Sequence, residues 1–357
     1  MCCIPALSAA AHKPAPVVHA IPARRWTIAP VLAVFTVTFP FFALVLAGYV
    51  AASRGLLRLE AIPGLNGFVL FFALPCMLFR FGAGTPLHLL LDPAVAAVYL
   101  LCSLAMVGIL VAWSRSRHRN WNDAAFGAMV GTFPNSGFMG VPLLVALLGP
   151  LAAGPVILSI MIDMLVTSSL CIALSRLDGA GAAGARQAAG KALRGVATNP
   201  MPWAILLGIA CQAAGVTLWK PVDDTVGLLA AAASPVALFT IGAVLARSRR
   251  MALEHDGSTS GAHPQGVPPD VFPVAAAKLF LHPLLVLLAG LGAQRMGLPL
   301  SAFALSVIVL TAALPSASNV SLLAERFGAD NGRVARIILW TTVVAFFSFS
   351  GAVALVV

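Results

Sequence analysis

Residues 131–142 read Gly-Thr-Phe-Pro-Asn-Ser-Gly-Phe-Met-Gly-Val-Pro and interrupt a long apolar stretch. A helix in lipid has no water to satisfy broken backbone hydrogen bonds, so such a break is tolerated only where protein or an aqueous cavity supplies partners. A second break, Leu-Pro-Ser-Ala-Ser-Asn at residues 314–319, lies in another apolar stretch far downstream. Two interrupted segments in corresponding halves of a chain point to the binding site of a transporter.

The composition indicates a chain that is built into a lipid bilayer. Of its 357 residues, 60% are hydrophobic and only 10% are charged, whereas soluble proteins average about 25% charged residues. The net charge of +10 comes from basic residues between the apolar runs, so it does not indicate a nucleic-acid partner. The six cysteines show no spacing that is typical of a metal site or a disulfide framework. The sequence therefore predicts no metal and no cofactor.

The apolar runs predict an all-α polytopic membrane protein with ten transmembrane helices. We expect these spans at residues 30–52, 64–82, 93–113, 123–149, 154–175, 199–218, 224–246, 271–293, 301–325 and 333–356. Of the 22 Lys and Arg residues, 15 fall in the loops after odd-numbered spans and 6 fall on the other side. Since the basic side of a membrane protein faces the cytoplasm, both termini are predicted to be periplasmic in a bacterial inner membrane.

The two halves of the chain carry a weak internal repeat. A shift of 160 residues carries six residues onto identical ones, namely Pro40, Gly48, Gly55, Pro75, Leu78 and Phe79 onto Pro200, Gly208, Gly215, Pro235, Leu238 and Phe239. Each half holds five spans, which is an odd number, so the second half is inverted in the membrane. We expect a disordered tail (1–29), a first five-helix repeat (30–175), a cytoplasmic linker (176–198) and a second repeat (199–357), which includes a flexible cytoplasmic loop (247–270).

Each break can present backbone amides to a bound anion. Proline removes one helical hydrogen bond, and glycine permits close approach. The freed N–H groups that open the second half-helix carry partial positive charge and can bind an anion without a cationic side chain. If the two breaks cross, the dipole ends of their half-helices face one cavity. The alternative interpretation is that both breaks are proline kinks whose small residues serve only helix packing. The candidate substrate-binding residues are Thr132, Pro134, Asn135, Ser136 and Gly137 in the first break and Pro315, Ser316, Ser318 and Asn319 in the second.

Two charged residues lie deep inside predicted spans, away from the span ends: Asp163 in the fifth and Lys278 in the eighth. A charge in mid-membrane costs ~3 kcal/mol on insertion scales and usually faces the protein interior. Ser159 and Thr167 share a helix face with Asp163, which is a candidate to carry a coupling proton or is a neutral structural acid. Lys278 is a candidate to attract the substrate or neutralise Asp163, or it snorkels to the surface. His282, four residues later, is interpreted as a packing residue.

Four segments resemble the auxin efflux carrier family of secondary transporters, and the likeness covers about residues 30–357. They are Asn-Ser-Gly-Phe-Met-Gly-Val-Pro at 135–142, Leu-Pro-Cys-Met-Leu-Phe at 74–79, Pro-Val-Ala-Leu-Phe-Thr-Ile-Gly at 235–242, and the Lys-x-x-x-His-Pro of malonate-transporter-like members at 278–283. The resemblance implies two inverted five-helix repeats with crossed, broken helices 4 and 9. Spans 1, 2, 6 and 7 would form a scaffold, and the others a mobile transport domain. The substrate carboxylate would lie at Pro134, Asn135, Pro315 and Asn319.

The resulting hypothesis is a secondary transporter of a small organic anion that works by alternating access. The chain lacks the long hydrophilic central loop of plant auxin carriers, so a malonate-like mono- or dicarboxylate is expected rather than auxin. A cation/proton antiporter of the same general fold is the alternative, although such proteins usually need clustered acids at the crossing. No motif for an intramembrane enzyme and no appended signalling domain occur in the sequence, so no catalytic residue is assigned. Coupling to a proton or sodium, and assembly as a homodimer, stay open.

Overall fold

The structure, a computed structural model, describes residues 28–84, 92–177, 200–258 and 269–356. In these ranges the chain is helical apart from turns and one isolated β-bridge. The helices are α1 (Ile28–Ser53), α2 (Leu59–Gly84), α3 (Pro93–Ser116), α4 (Trp121–Thr132), α5 (Ser136–Leu148), α6 (Pro150–Leu174), α7 (Pro200–Ala213), α8 (Lys220–Ser258), α9 (Val271–Arg295), α10 (Ala302–Ala313), α11 (Asn319–Phe327) and α12 (Asn331–Val356).

Among the described residues, six helical segments are long and apolar enough to cross a membrane. They are α2, α3, α6, the Lys220–Arg247 part of α8, α9 and α12. Shorter apolar segments lie in α1, α5, α7 and α10. The structure is therefore that of a multi-pass helical membrane protein.

The predicted fourth and ninth spans are each divided into two helices. Residues 133–135 separate α4 from α5, and residues 314–318 separate α10 from α11. Capping side chains fix where the first helix of each pair begins: Asn120 accepts from the amide of Asp123 at 2.6 Å, and Ser301 accepts from the amide of Ala304 at 3.1 Å. Caps of this kind satisfy amides that have no partner within the helix.

One predicted loop differs from the structure. Helix α8 continues to Ser258, so residues 247–258 are helical rather than part of a flexible loop. Residues 251–254 are Met-Ala-Leu-Glu, which favour helix, and no helix breaker occurs before Gly257. The predicted tail and linker lie outside the described residues, apart from residues 28–29 and 176–177.

The helices α1, α2, α7 and α8 pack against one another through close backbone contacts. A Cβ at Gly48 in α1 would collide with the carbonyl of Phe239 in α8, and a Cβ at Gly208 in α7 would collide with the carbonyl of Phe79 in α2. The two contacts correspond to each other in the internal repeat, because Gly48 and Phe79 lie 160 residues before Gly208 and Phe239. We call these four helices the first helix group. Helices α3 to α6 pack with α9 to α12 around a second core, the second helix group.

Arg333 is one of the 15 basic residues that the sequence assigns to loops after odd-numbered spans, but the structure buries its side chain at the start of α12. Its Nε atom lies 2.7 Å from Asp270 Oδ2, and its Nη1 donates to the carbonyl of Asp123 at 2.8 Å. Arg119 lies 3.5 Å from the other carboxylate oxygen of Asp270. This ionic cluster joins the beginnings of α4, α9 and α12 at one end of the second helix group.

Candidate functional site at the crossing of two broken helices

The two breaks contact each other directly. Pro134 and Ser316 form an isolated antiparallel bridge, in which the amide of Asn135 donates to the carbonyl of Pro315 at 2.8 Å. A second backbone hydrogen bond of 3.0 Å runs from the amide of Ala317 to the carbonyl of the residue before Pro134. The backbone groups that each break exposes are therefore satisfied in part by the other break, as a water-poor environment demands.

Ser316 supplies the hydrogen bond that Pro134 cannot make. Proline has no N–H, so the carbonyl of Val130, four residues earlier, loses its helical donor. The hydroxyl of Ser316 donates to that carbonyl at 2.7 Å. The amide of Ser316 in turn donates to Thr341 Oγ1 on α12 at 3.2 Å. Ser316 is buried and fully engaged inside the protein.

Lys278 closes the open end of α10. In an unbroken helix the carbonyl of Ala312 would accept from the amide of Ser316, but that amide is bonded elsewhere. The ammonium group of Lys278 donates to the Ala312 carbonyl at 2.6 Å and lies 3.4 Å from Nδ1 of His282. A cation is favourable at a helix C-terminus, where the backbone carries partial negative charge. Lys278 is fully buried, so it does not snorkel to the surface.

A cavity of about 30 Å³ lies beside the first break. Six predicted site residues form part of its wall, namely Pro134, Asn135, Ser136, Gly137, Asp163 and Asn319. The wall also contains Leu74 and Leu78 from α2, which belongs to the first helix group, whereas the other wall residues belong to the second group. The cavity therefore lies where the two helix groups meet.

The open end of α5 supplies amide dipoles to this cavity. Gly137 and Phe138 lie in the first turn of α5, where a helix leaves its amides without partners of its own. The carbonyl of Asn135 accepts from the amides of Met139 and Gly140 at 3.1 and 3.0 Å, which fixes a π-helical turn at this end. The Asn135 side chain makes no capping hydrogen bond to that turn, so it stays available to the cavity.

Asp163 forms the part of the wall that carries an acid. Its side chain is fully buried at the start of a π-helical turn in α6. The hydroxyl of Tyr99 donates to Oδ2 at 2.8 Å, and that of Thr167 donates to Oδ1 at 3.2 Å. No ion pair joins Asp163 to Lys278 in the described part of the chain, although the two are near enough to attract each other. Asp163 is thus held by two neutral donors.

The remaining candidates do not line the cavity. Thr132 is buried and its hydroxyl has no partner among the described residues. Pro315, Ser316 and Lys278 serve the backbone of the crossing, and Ser318 lies outside the cavity wall. Sequence reasoning missed Tyr99, although one signal was available: it is one of only two tyrosines in the chain and lies in the middle of an apolar run.

The sequence of this chain is similar to those of known membrane transport proteins. A family model described as "Membrane transport protein" matches residues 33–353. The "Putative malonate transporter" of Rhizobium meliloti (strain 1021) is 27% identical over 328 residues, which cover 89% of this chain and 94% of the relative. "Uncharacterized transporter YfdV" of Escherichia coli (strain K12) is 26% identical over 293 residues, which cover 81% of this chain and 86% of the relative.

A plant relative matches a shorter region. "Auxin efflux carrier component 3a" of Oryza sativa subsp. japonica is 29% identical over 126 residues, which cover 34% of this chain and 20% of the relative. The resemblance that the sequence motifs indicated is confirmed. The chain belongs to the auxin efflux carrier family of membrane transport proteins.

Proposed function

We propose that this protein is a secondary transporter that carries a small organic anion across the bacterial inner membrane, and that the carboxylate binds at the crossing of the two breaks. The observation that carries the proposal is the cavity beside two hydrogen-bonded breaks, where Asn135, Ser136 and Asn319 form part of a largely apolar wall at the open end of α5. Amide donors and a helix N-terminus bind carboxylates without a cationic side chain. The protein acts on its substrate by moving it, with no catalytic residue and no cofactor.

A malonate-like mono- or dicarboxylate is the substrate class that we infer. The bacterial relative named for malonate aligns over almost its whole length with this chain. The carbon skeleton of such an acid is short enough to be held by two Asn side chains and a helix end. The nearby hydrophobic side chains Leu74 and Leu78 would cover its methylene group.

Transport requires movement between the two helix groups. A cavity of about 30 Å³ has room for roughly one or two water molecules, so a dicarboxylate needs a wider site. Since the cavity lies where the first helix group meets the second, sliding or rocking of one group against the other would widen it towards one side of the membrane at a time. We propose ten spans in two inverted five-helix repeats, with both termini periplasmic, and the paired contacts of Gly48 and Gly208 support this symmetry.

A cation/proton antiporter is the second candidate function, because an acid, Asp163, lies in the cavity wall. Antiporters of this kind usually hold their ion with several acids, and no group of three or more His, Cys, Asp or Glu residues that could hold a metal ion is found in the described ranges. The two candidates differ in what stabilises the protein. A carboxylate is expected to stabilise an anion carrier, whereas sodium alone is expected to stabilise a cation/proton antiporter.

The experiment is a thermal-stability screen of the purified protein against malonate, other small carboxylates and sodium chloride. A ligand that binds only the folded state raises the melting temperature, by an amount that corresponds to about 2.7 kcal/mol at a hundred times Kd. We expect malonate-like acids to raise it and sodium to leave it unchanged. Stabilisation by sodium alone, with no response to carboxylates, would contradict the anion carrier and favour the antiporter.

A further inference from the structure

We infer that the carrier is a proton symporter, in which Asp163 must hold a proton whenever the substrate carboxylate occupies the cavity. The inference rests on the proposed function and specifies its coupling. Asp163, Asn135 and Asn319 line one cavity of about 30 Å³. A carboxylate held by Asn135 and Asn319 therefore lies within a few ångströms of the carboxyl group of Asp163.

None of the described residues that form the cavity wall carries a cationic side chain to compensate an ionised Asp163. The groups around its side chain are Thr167 and Cys171 on its own helix, Tyr99 on α3, and Lys278 with its neighbour His282 on α9. The only cation among them, Lys278, is bonded to the carbonyl of Ala312 and forms no part of the wall. A substrate anion in the cavity would thus be repelled by an ionised Asp163, whose charge Lys278 attracts from outside the wall without forming an ion pair with it.

The repulsion between two such charges decides the coupling. Two like charges about 5 Å apart in a protein interior repel strongly enough to weaken binding by roughly a hundredfold or more. Protonation removes that repulsion, because a neutral carboxyl group can donate a hydrogen bond to the anion instead of repelling it. Binding is reciprocal, so the anion raises the affinity of Asp163 for a proton by the same factor. Proton and anion therefore enter the cavity together.

The neighbours of Asp163 suit both of its protonation states. When the group is ionised, Tyr99 and Thr167 each donate a hydrogen bond to one oxygen. When it is neutral, a hydroxyl can rotate and accept, because Ser, Thr and Tyr hydroxyls both donate and accept. Full burial keeps water from screening the charge. The site can therefore load and release a proton without losing its fold.

The test follows protons in proteoliposomes that enclose a pH-indicator dye. With an inward malonate gradient and no ionophore other than one that clamps the membrane potential, we expect the wild-type protein to acidify the interior as labelled malonate enters. Malonate uptake without acidification would overturn the inference and leave the proposed function intact. No malonate uptake at any pH would overturn the proposed function, and the inference with it.

The matched variants are Asp163→Asn, which copies the neutral acid, and Asp224→Asn, which changes an exposed acid on α8. Between about pH 7 and pH 8.5, where the substrate itself stays ionised, coupling to one proton lowers wild-type malonate affinity by up to about tenfold per pH unit. We expect Asp163→Asn to bind malonate with less than about twofold change over this range, and Asp224→Asn to behave as wild type. Loss of pH dependence in the Asp224 variant, or its persistence in the Asp163 variant, would overturn the inference.

Discussion

The two breaks carry similar residues but use them differently. The first break presents Asn135, Ser136 and Gly137 to the cavity. The second break contributes only Ala317 and Asn319 to the described cavity wall. The amide and hydroxyl of its Ser316 instead donate hydrogen bonds to Thr341 and Val130. The first break faces the candidate site, and the second largely holds the crossing together.

The reason for the difference is the spacing of the polar residues after each proline. Asn135 follows Pro134 directly and is succeeded by the π-helical turn at Ser136–Gly140, so its side chain stands at the open helix end. Asn319 follows Pro315 by four residues, and the intervening residues are Ser-Ala-Ser. The first polar side chain of the second break, that of Ser316, therefore donates its hydroxyl to the Val130 carbonyl, which lacks a donor because Pro134 has no N–H. Repeat-related segments need not have equal roles.

The largest expected effect separates the two asparagines. Asn135→Ala should lower malonate affinity by about 10- to 100-fold, because a hydrogen bond to a charged group contributes about 1.5–3 kcal/mol. Asn319→Ala should lower malonate affinity less, because Asn319 is the only polar side chain that the second break contributes to the described cavity wall. Asn135, in contrast, lies at the open end of α5, where the backbone amides also bind the carboxylate. The melting temperature of both ligand-free variants should stay close to wild type, because the structural bond of Asn135 uses its backbone amide.

The melting temperature of each purified variant is measured without malonate and at increasing malonate concentrations, which gives both the ligand-free stability and the malonate affinity. An equal loss of affinity in the two variants would show that the breaks contribute alike and would contradict the asymmetry. A lower ligand-free melting temperature for Asn135→Ala would assign this residue to the fold rather than to binding. Labelled malonate uptake without hydrolysis in the wild type would also exclude the intramembrane enzyme.

Lys278→Met tests whether the buried cation serves the second break or the substrate. The change leaves the carbonyl of Ala312 without its donor, and we expect the protein to lose about 1.5–3 kcal/mol of unfolding free energy, the range for hydrogen bonds to charged groups. Malonate affinity of the folded fraction should change little. Arg295→Met, an exposed cation at the end of the same helix, is the matched control and should unfold like wild type. Unchanged stability with lost binding would instead make Lys278 a substrate ligand.

The sequence predicted the helices and the two breaks because both depend on local chemistry. Prolines next to Asn and Ser stand out in an apolar run, and the ends of α3, α6 and α9 fall within a few residues of the predicted spans. The ten-span count and the inverted repeat stay predictions, as do the domain limits.

The sequence could not predict which residues of the crossing line the cavity and which hold the two breaks together, because these roles depend on contacts between residues that are distant in the chain. The bond from Ser316 to Val130 joins residues 186 positions apart, and nothing near Ser316 indicates it. The same holds for Tyr99, which reaches Asp163 across 64 positions. Arg333 resembles the loop cations around it, and only folding brings Asp270 beside it.

Ser316→Ala should have the smallest effect and tests the supporting role of the second break most directly. The variant removes the hydroxyl that donates to the carbonyl of Val130 in place of the missing N–H of Pro134. We expect a loss of about 0.5–1.5 kcal/mol of unfolding free energy, as for a single hydrogen bond within a membrane protein. Malonate affinity should stay within about twofold of wild type, because the Ser316 hydroxyl is bonded away from the cavity.

Ser318→Ala is the control within the same break, because its hydroxyl makes no side-chain hydrogen bond among the described residues and lies outside the cavity wall. Unfolding of both variants in mixed detergent micelles, with malonate titration of the folded protein, gives the comparison. If Ser316→Ala weakens malonate binding while its stability matches Ser318→Ala, the second break binds substrate through this hydroxyl. The two breaks would then be functionally equivalent despite the different spacing of their polar residues.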